Sequence, residues 1–197
     1  MPEPQPRSNT AEEILDIAEM LIQTRGYSAF SYQDIATKLG IRKASIHYHF
    51  PTKLSLGVAV VERYMARIES ILASLIADQT NTAMYLFDCY TVPYLEFADT
   101  TDRICLCGAL AGEFHALPSE MQERIGRFFQ GQQNWLARMS KRGRNSGEFD
   151  FAGPATRMAA TIFSALQGAL IIKRATGNAT ELRDVIAVLK SQLRASR

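Results

Sequence analysis

The stretch from Ser31 to Lys53, SYQDIATKLGIRKASIHYHFPTK, leaves the backbone little choice. Ser31 suits a helix N-cap, Asp34 three residues on is its capping-box partner, and Phe30 before the cap can staple onto Ile35. Ile35, Ala36 and Leu39 share one face of the helix so begun. Gly40 stands where that helix stops and the chain needs positive φ. A second short helix follows Ile41 through RKASIHYH, with Ile41 and Ile46 turned inward and Arg42, Lys43, Ser45, His47 and Tyr48 left outside. Small Ala36 at the crossing, Gly40 at the corner and a Pro51 step into a third helix complete a helix-turn-helix arrangement.

The outer face of that second helix is rich in donors. Between Ile35 and Val61 there is no Asp or Glu, while Lys38, Arg42, Lys43 and Lys53 are present with His47 and His49. Such a run suits a polyanion, and the second helix of this arrangement is the one that enters a DNA major groove. The whole chain carries a net charge of only +2 at pH 7. Affinity for nucleic acid must therefore come from this patch rather than from bulk charge.

The run Gly40-Ile41-Arg42-Lys43-Ala44-Ser45-Ile46-His47-Tyr48-His49-Phe50-Pro51-Thr52-Lys53, with Leu56 after it, resembles the DNA-reading segment of the TetR/AcrR family of bacterial transcription regulators. The likeness rests on a small residue, a hydroxyl, an aliphatic, two aromatics, His-Phe and then Lys at fixed offsets. Beyond it the chain matches the family in length and helical character. His47 stands where most members carry Tyr, and Arg42 where Ser is common. The resemblance implies operator DNA, a second copy of the chain and a small-molecule effector as partners, with repression as the commoner outcome. Position by position it implies that Lys43, Ala44 and His47 approach base edges or the groove wall and that Gln33 reaches a base. Ser31, Tyr32, Ser45, Tyr48 and Lys53 fall where members contact phosphate, and Arg42 shares their face.

The remaining pattern is helical throughout, with no alternating period of a strand, so the expected fold class is all-α. Residues 1–9, Pro-rich and polar, read as a disordered arm. Residues 10–53 read as the helix-turn-helix domain, opened by a helix from Thr10 with the stripe Ile14, Ile17, Ala18, Leu21 and Ile22. Residues 54–197 read as a larger C-terminal ligand-binding and dimerisation domain. It begins with a long helix to about Ala77, then one from Asn81 to Phe97 that Pro93 should kink or break. A helix from Asp102 to His115 and a long one from Ser119 to about Arg142 follow. The last two begin at Pro154 and Thr180.

Aromatic and polar side chains of this domain can line an apolar pocket, with Tyr85, Tyr90, Tyr94, Cys105, Phe114, His115, Trp135 and Phe163 as candidates. They would equally make an ordinary core. Ala160, Ser164 and Gly168 recur every four residues beside Ala165 in the helix that Gly177 ends, a spacing that lets another helix approach closely. With Ile172, and with Val185 and Leu189 of the last helix, they form the expected dimer face, half of an intersubunit four-helix bundle. Packing within one monomer is the competing reading.

Cys89, Cys105 and Cys107 are an odd count without framework spacing, and the N-terminus has no apolar signal core, which points to a reducing cytoplasm. The apolar window Met158–Ile172 is interrupted and too short to span a bilayer. Some family members with an electrophile- or oxidant-sensing role place a cysteine in a similar Cys-Leu step, which makes thiol sensing at Cys105, beside Arg103, an alternative. A helical enzyme is a remote one: no Glu-x-x-His repeat, phosphate loop, nucleophile elbow or Cys-x-x-Cys pair occurs in the sequence, and no metal or cofactor is expected.

Overall fold

The computed structural model describes residues 10–100 and 102–194, and the expected arm of residues 1–9 lies outside them. The described residues form α1 (Thr10–Arg25), α2 (Tyr32–Leu39), α3 (Lys43–His49), α4 (Lys53–Ala77), α5 (Ala83–Ala98), α6 (Leu106–Ala111), α7 (Ser119–Ser146), α8 (Ala155–Thr176) and α9 (Ala179–Leu193). A 3-10 turn spans Phe114–Ala116, and the only extended pairing among the described residues is an isolated bridge between Phe149 and Arg194. The fold is all-α. At α2 the Ser31 backbone N–H and hydroxyl both donate to the Asp34 carboxylate, at 2.8 and 2.6 Å. Gly40 then closes the helix at φ 67°.

The structure revises the sequence reading at four places. The helix expected over Asp102–His115 is only the short α6 followed by the 3-10 turn. Ile104, Cys105, Leu106 and Cys107 are buried one after another, which one face of a helix cannot achieve, so the chain enters extended. α5 runs unbroken through Pro93; the ring is exposed, and the helix forgoes one bond, to the Cys89 carbonyl. α7 continues past Arg142 to Ser146 and is closed by Gly147 at φ 76°, and Gly143, where a Cβ would lie 2.2 Å from the Phe149 ring, lets that ring pack against the added turn. Finally, α8 is 22 residues, long and apolar enough to cross a membrane by length and composition. One side of it is committed to packing: Ile162, Phe163, Leu166 and Leu170 are buried, and the buried Lys173 ammonium donates to the Phe97 and Thr100 carbonyls.

α7 and α8 form the largest helix pair, with α9, α5 and α4 packed around them. α4 joins the two ends of the molecule. Its first turns bury Leu56, Val60 and Val61 in a core continuous with Ile14, Ile22, Ile35 and Ile46, while its last turns bury Leu72 and Ile76 among α5 and α7.

Candidate nucleic-acid interface and effector cavity

α3 stands on Ile46, fully buried, and turns Arg42, Lys43, Ala44, His47, Tyr48 and His49 outward. Tyr48 is 83% exposed. Neither Arg42 nor Lys43 has an ion-pair partner among the described residues, while the nearest acidic group in the sequence, Asp34, is held by Ser31 and Arg25. A shallow depression lined by Thr10, Ile41, Arg42, Ala44, Ser45, Tyr48 and His49 brings the start of α1 against this face. The contribution of Thr10 and Ile41 depends on how α1 crosses α3, which no local motif reveals.

Several residues expected at phosphate also brace the corner. Tyr32 is buried, its O–H donates to the Phe50 carbonyl at 2.8 Å, and burial pushes its pKa up to about 12. Its ring packs on His47 at 4.7 Å. The Nδ1 of His47 lies 3.3 Å from the Pro51 carbonyl. The Ser31 hydroxyl proton is used on Asp34. Lys53 points inward: its ammonium donates to the Phe30 carbonyl at 2.6 Å and lies over the Tyr27 and Phe30 rings at 4.8 and 4.6 Å. Partial burial lowers its pKa. Gln33 is exposed, with its amide donating to the Thr37 hydroxyl. Ser45 is half-buried.

The other end of α4 makes a cavity. A space of about 80 Å³ lies between one face of α4 (Tyr64, Ile68, Ile71, Leu72, Leu75) and one face of α5 (Cys89, Tyr90, Pro93, Tyr94, Phe97), closed by Cys105, Phe128 and Gln132. Of the eight candidate pocket residues, Tyr90, Tyr94 and Cys105 line it. Trp135 forms the layer behind, with its ring stacked on Tyr90 at 5.4 Å and its N–H given to the Leu72 carbonyl. The other four do not line it. Tyr85 is exposed on the outside of α5, Phe163 is buried against Phe129, and Phe114 and His115 sit on the 3-10 turn. The shortened α6 is the reason for the last two.

Cys105 is buried, with its sulfur accepting weakly from the Tyr64 O–H at 3.6 Å. Arg103, the cation expected to favour its thiolate, is turned away and donates twice to the buried Gln23 side chain of α1. Burial pushes the Cys107 thiol well above its usual range.

The segment from Cys105 to Glu113 thus touches the cavity at one end and the reader at the other. Glu113 accepts the Ser28 backbone N–H at 2.9 Å, in the loop between α1 and α2. Gly26 in that loop has φ 92°, and a Cβ there would fall on the Glu113 carboxylate. Glu19 of α1, almost wholly buried, is paired with Arg63 and Arg67 of α4. These links join partners far apart in sequence, so neither Glu113 nor Gln23 carries a recognisable signal.

On the far side, α8 and α9 leave Ser164, Ile171, Ile172 and Val188 exposed, and nothing stands near the missing Cβ of Gly168. Of the expected dimer face, Leu189 is buried inside the monomer, where α9 packs on α5 and α8, and Ala165 and Val185 are partly covered by the same core. Ala160 is half-buried.

Residues 14–60 match the sequence model of bacterial regulatory proteins of the tetR family, and residues 91–189 match the tetracyclin repressor-like C-terminal domain. The chain is a TetR-family regulator. A TetR transcriptional regulator from Legionella pneumophila is 32% identical, over 96% of this chain and 100% of that one, with a TM-score of 0.81. A TetR-family regulator from Agrobacterium tumefaciens is 31% identical over 94% and 97%, with a TM-score of 0.87. The transcriptional repressor NemR of Escherichia coli K12 is 22% identical over 185 residues, 93% of each chain. The match over residues 14–60 takes in α2 and α3, and the match over residues 91–189 takes in α6, α7 and α8.

Proposed function

We propose that this TetR-family regulator is a cytoplasmic dimeric repressor, released from operator DNA when a small molecule enters the cavity between α4 and α5. The observation that carries the reading is the span of α4: its first residue, Lys53, is tied to the reader, and its later turns wall the cavity. A molecule that binds better when α4 is displaced shifts the spacing of the two reading helices, and that differential affinity is the coupling. The division into a reader of residues 10–53 and a regulatory body of residues 54–197 follows this use of α4. Arg42, Lys43, Ala44, His47 and Tyr48 are proposed to meet the DNA directly, with Gln33 and Ser45 beside them. Ser31, Tyr32 and Lys53 are proposed to hold the surface that does so. The strip of exposed Ser164, Ile171, Ile172 and Val188, with half-buried Gly168, is proposed as the dimer face.

The test is fluorescence anisotropy of the purified protein on DNA from its own upstream region, across a salt series, with an unrelated duplex as control. Selective binding with a steep salt slope is expected. Equal, weak binding to both duplexes contradicts a sequence-reading role for α3 on that DNA.

A further inference from the structure

The cavity lining has an unusual chemical bias. None of its side chains is charged, and its polar groups are three tyrosine hydroxyls, two thiols and the Gln132 amide. Transfer of an ionised group into such a site, without a counter-charge, is prohibitive. At about 80 Å³ the space is several times what one water requires, roughly 10–15 Å³.

The tyrosines are in excess of acceptors. The Tyr90 hydroxyl is buried, makes no hydrogen bond of good geometry, and has the Tyr94 hydroxyl as the polar group within its reach. Tyr94, whose ring centroid lies 5.9 Å away, already accepts the Gln167 amide at 3.2 Å, which leaves its own proton to give. A bond between the two hydroxyls would use one proton and strand the other. Burial raises the pKa of both, so both remain O–H donors at neutral pH. A buried donor left unmade is costly, and the missing partner is an acceptor oxygen.

Resting on the effector reading above, we infer that the effector is an uncharged, ring-sized apolar molecule carrying an acceptor oxygen such as a ketone, which takes its hydrogen bond from the Tyr90–Tyr94 pair. The apolar walls from α4 and α5 hold the hydrocarbon part. The two phenols select for the oxygen, since a site built to hydrogen-bond one group discriminates against the analogue lacking it.

The experiment titrates the full chain by calorimetry with three probes: cyclohexanone, methylcyclohexane and cyclohexanecarboxylate. Cyclohexanone is expected to bind more tightly than either of the others. Tyr90→Phe keeps the ring stacked on Trp135 and removes only the hydroxyl; it is expected to weaken cyclohexanone about three- to tenfold and to leave methylcyclohexane unchanged. Tyr94→Phe is the second variant, with the same expectation, and unchanged melting temperatures show that both fold. Cyclohexanone binding unmoved in both variants overturns the inference. Cyclohexanecarboxylate binding as tightly as the ketone overturns the ligand class alone and leaves the effector cavity standing. No binding of any probe, with unchanged Trp135 emission, overturns both.

Discussion

Lys43 and Lys53 lie ten positions apart on the same short segment and do different work. Lys43 is exposed on α3, and Lys43→Ala is expected to weaken operator binding by about 1–3 kcal/mol, to relax preference at particular base pairs and to leave the melting temperature unchanged. Lys53 ties α4 to the Phe30 carbonyl and two rings. Lys53→Ala should therefore lower the melting temperature and weaken all duplexes alike. Binding-site selection alongside thermal melts separates the two, and a Lys43 variant with unchanged preference would contradict its base-reading role. Asp34 adds a pH signature. Hydrogen bonds from Ser31 hold its carboxylate below the usual 3.8, so its contribution to stability is present above that value and disappears as the pH falls through its lowered pKa. Asp34→Asn should flatten this acid-side loss, as read from melting temperature against pH.

At the scale of elements, glycine positions test how tightly the helices are set. Gly40 has open space where a Cβ would go, so Gly40→Ala costs only the left-handed backbone, about 1 kcal/mol. Gly57 on α4 is different: a Cβ there meets the Tyr27 ring at 2.7 Å and the Met121 sulfur at 3.0 Å. Gly57→Ala is expected to cost about 1–3 kcal/mol by overpacking, measured as a shift in urea midpoint. Elements with their own caps were legible in the sequence, including α2 with Ser31, Asp34 and Gly40, and α8 between Pro154 and Gly177. The stretch from Asp102 to His115 was not, because its conformation answers to burial on several sides rather than to local propensity. The same contrast divides the sites. The outward face of α3 is written in the spacing of Ile41 and Ile46, whereas the cavity is defined by the gap between α4 and α5. Tyr64, Cys89, Pro93, Phe97 and Gln132 join its lining only through that packing.

For the molecule as a whole, the exposed strip on α8 and α9 predicts the assembly state. Ile172→Asp with Val188→Asp replaces side chains that are 44% and 54% exposed in the single chain, so the monomer fold should change by no more than about 0.5 kcal/mol per site. Sedimentation should then show a monomer, and binding to a two-half-site operator should fall. A dimer that persists would place the interface elsewhere. The reader and the body are also joined by a bond that can be timed. The Ser28 amide proton rests on Glu113, and solvent deuterium replaces such a proton when the bond opens. Its exchange rate is therefore a clock for how often the reading unit lets go of the body, and a molecule that releases the protein from DNA through α6 should make that clock run faster.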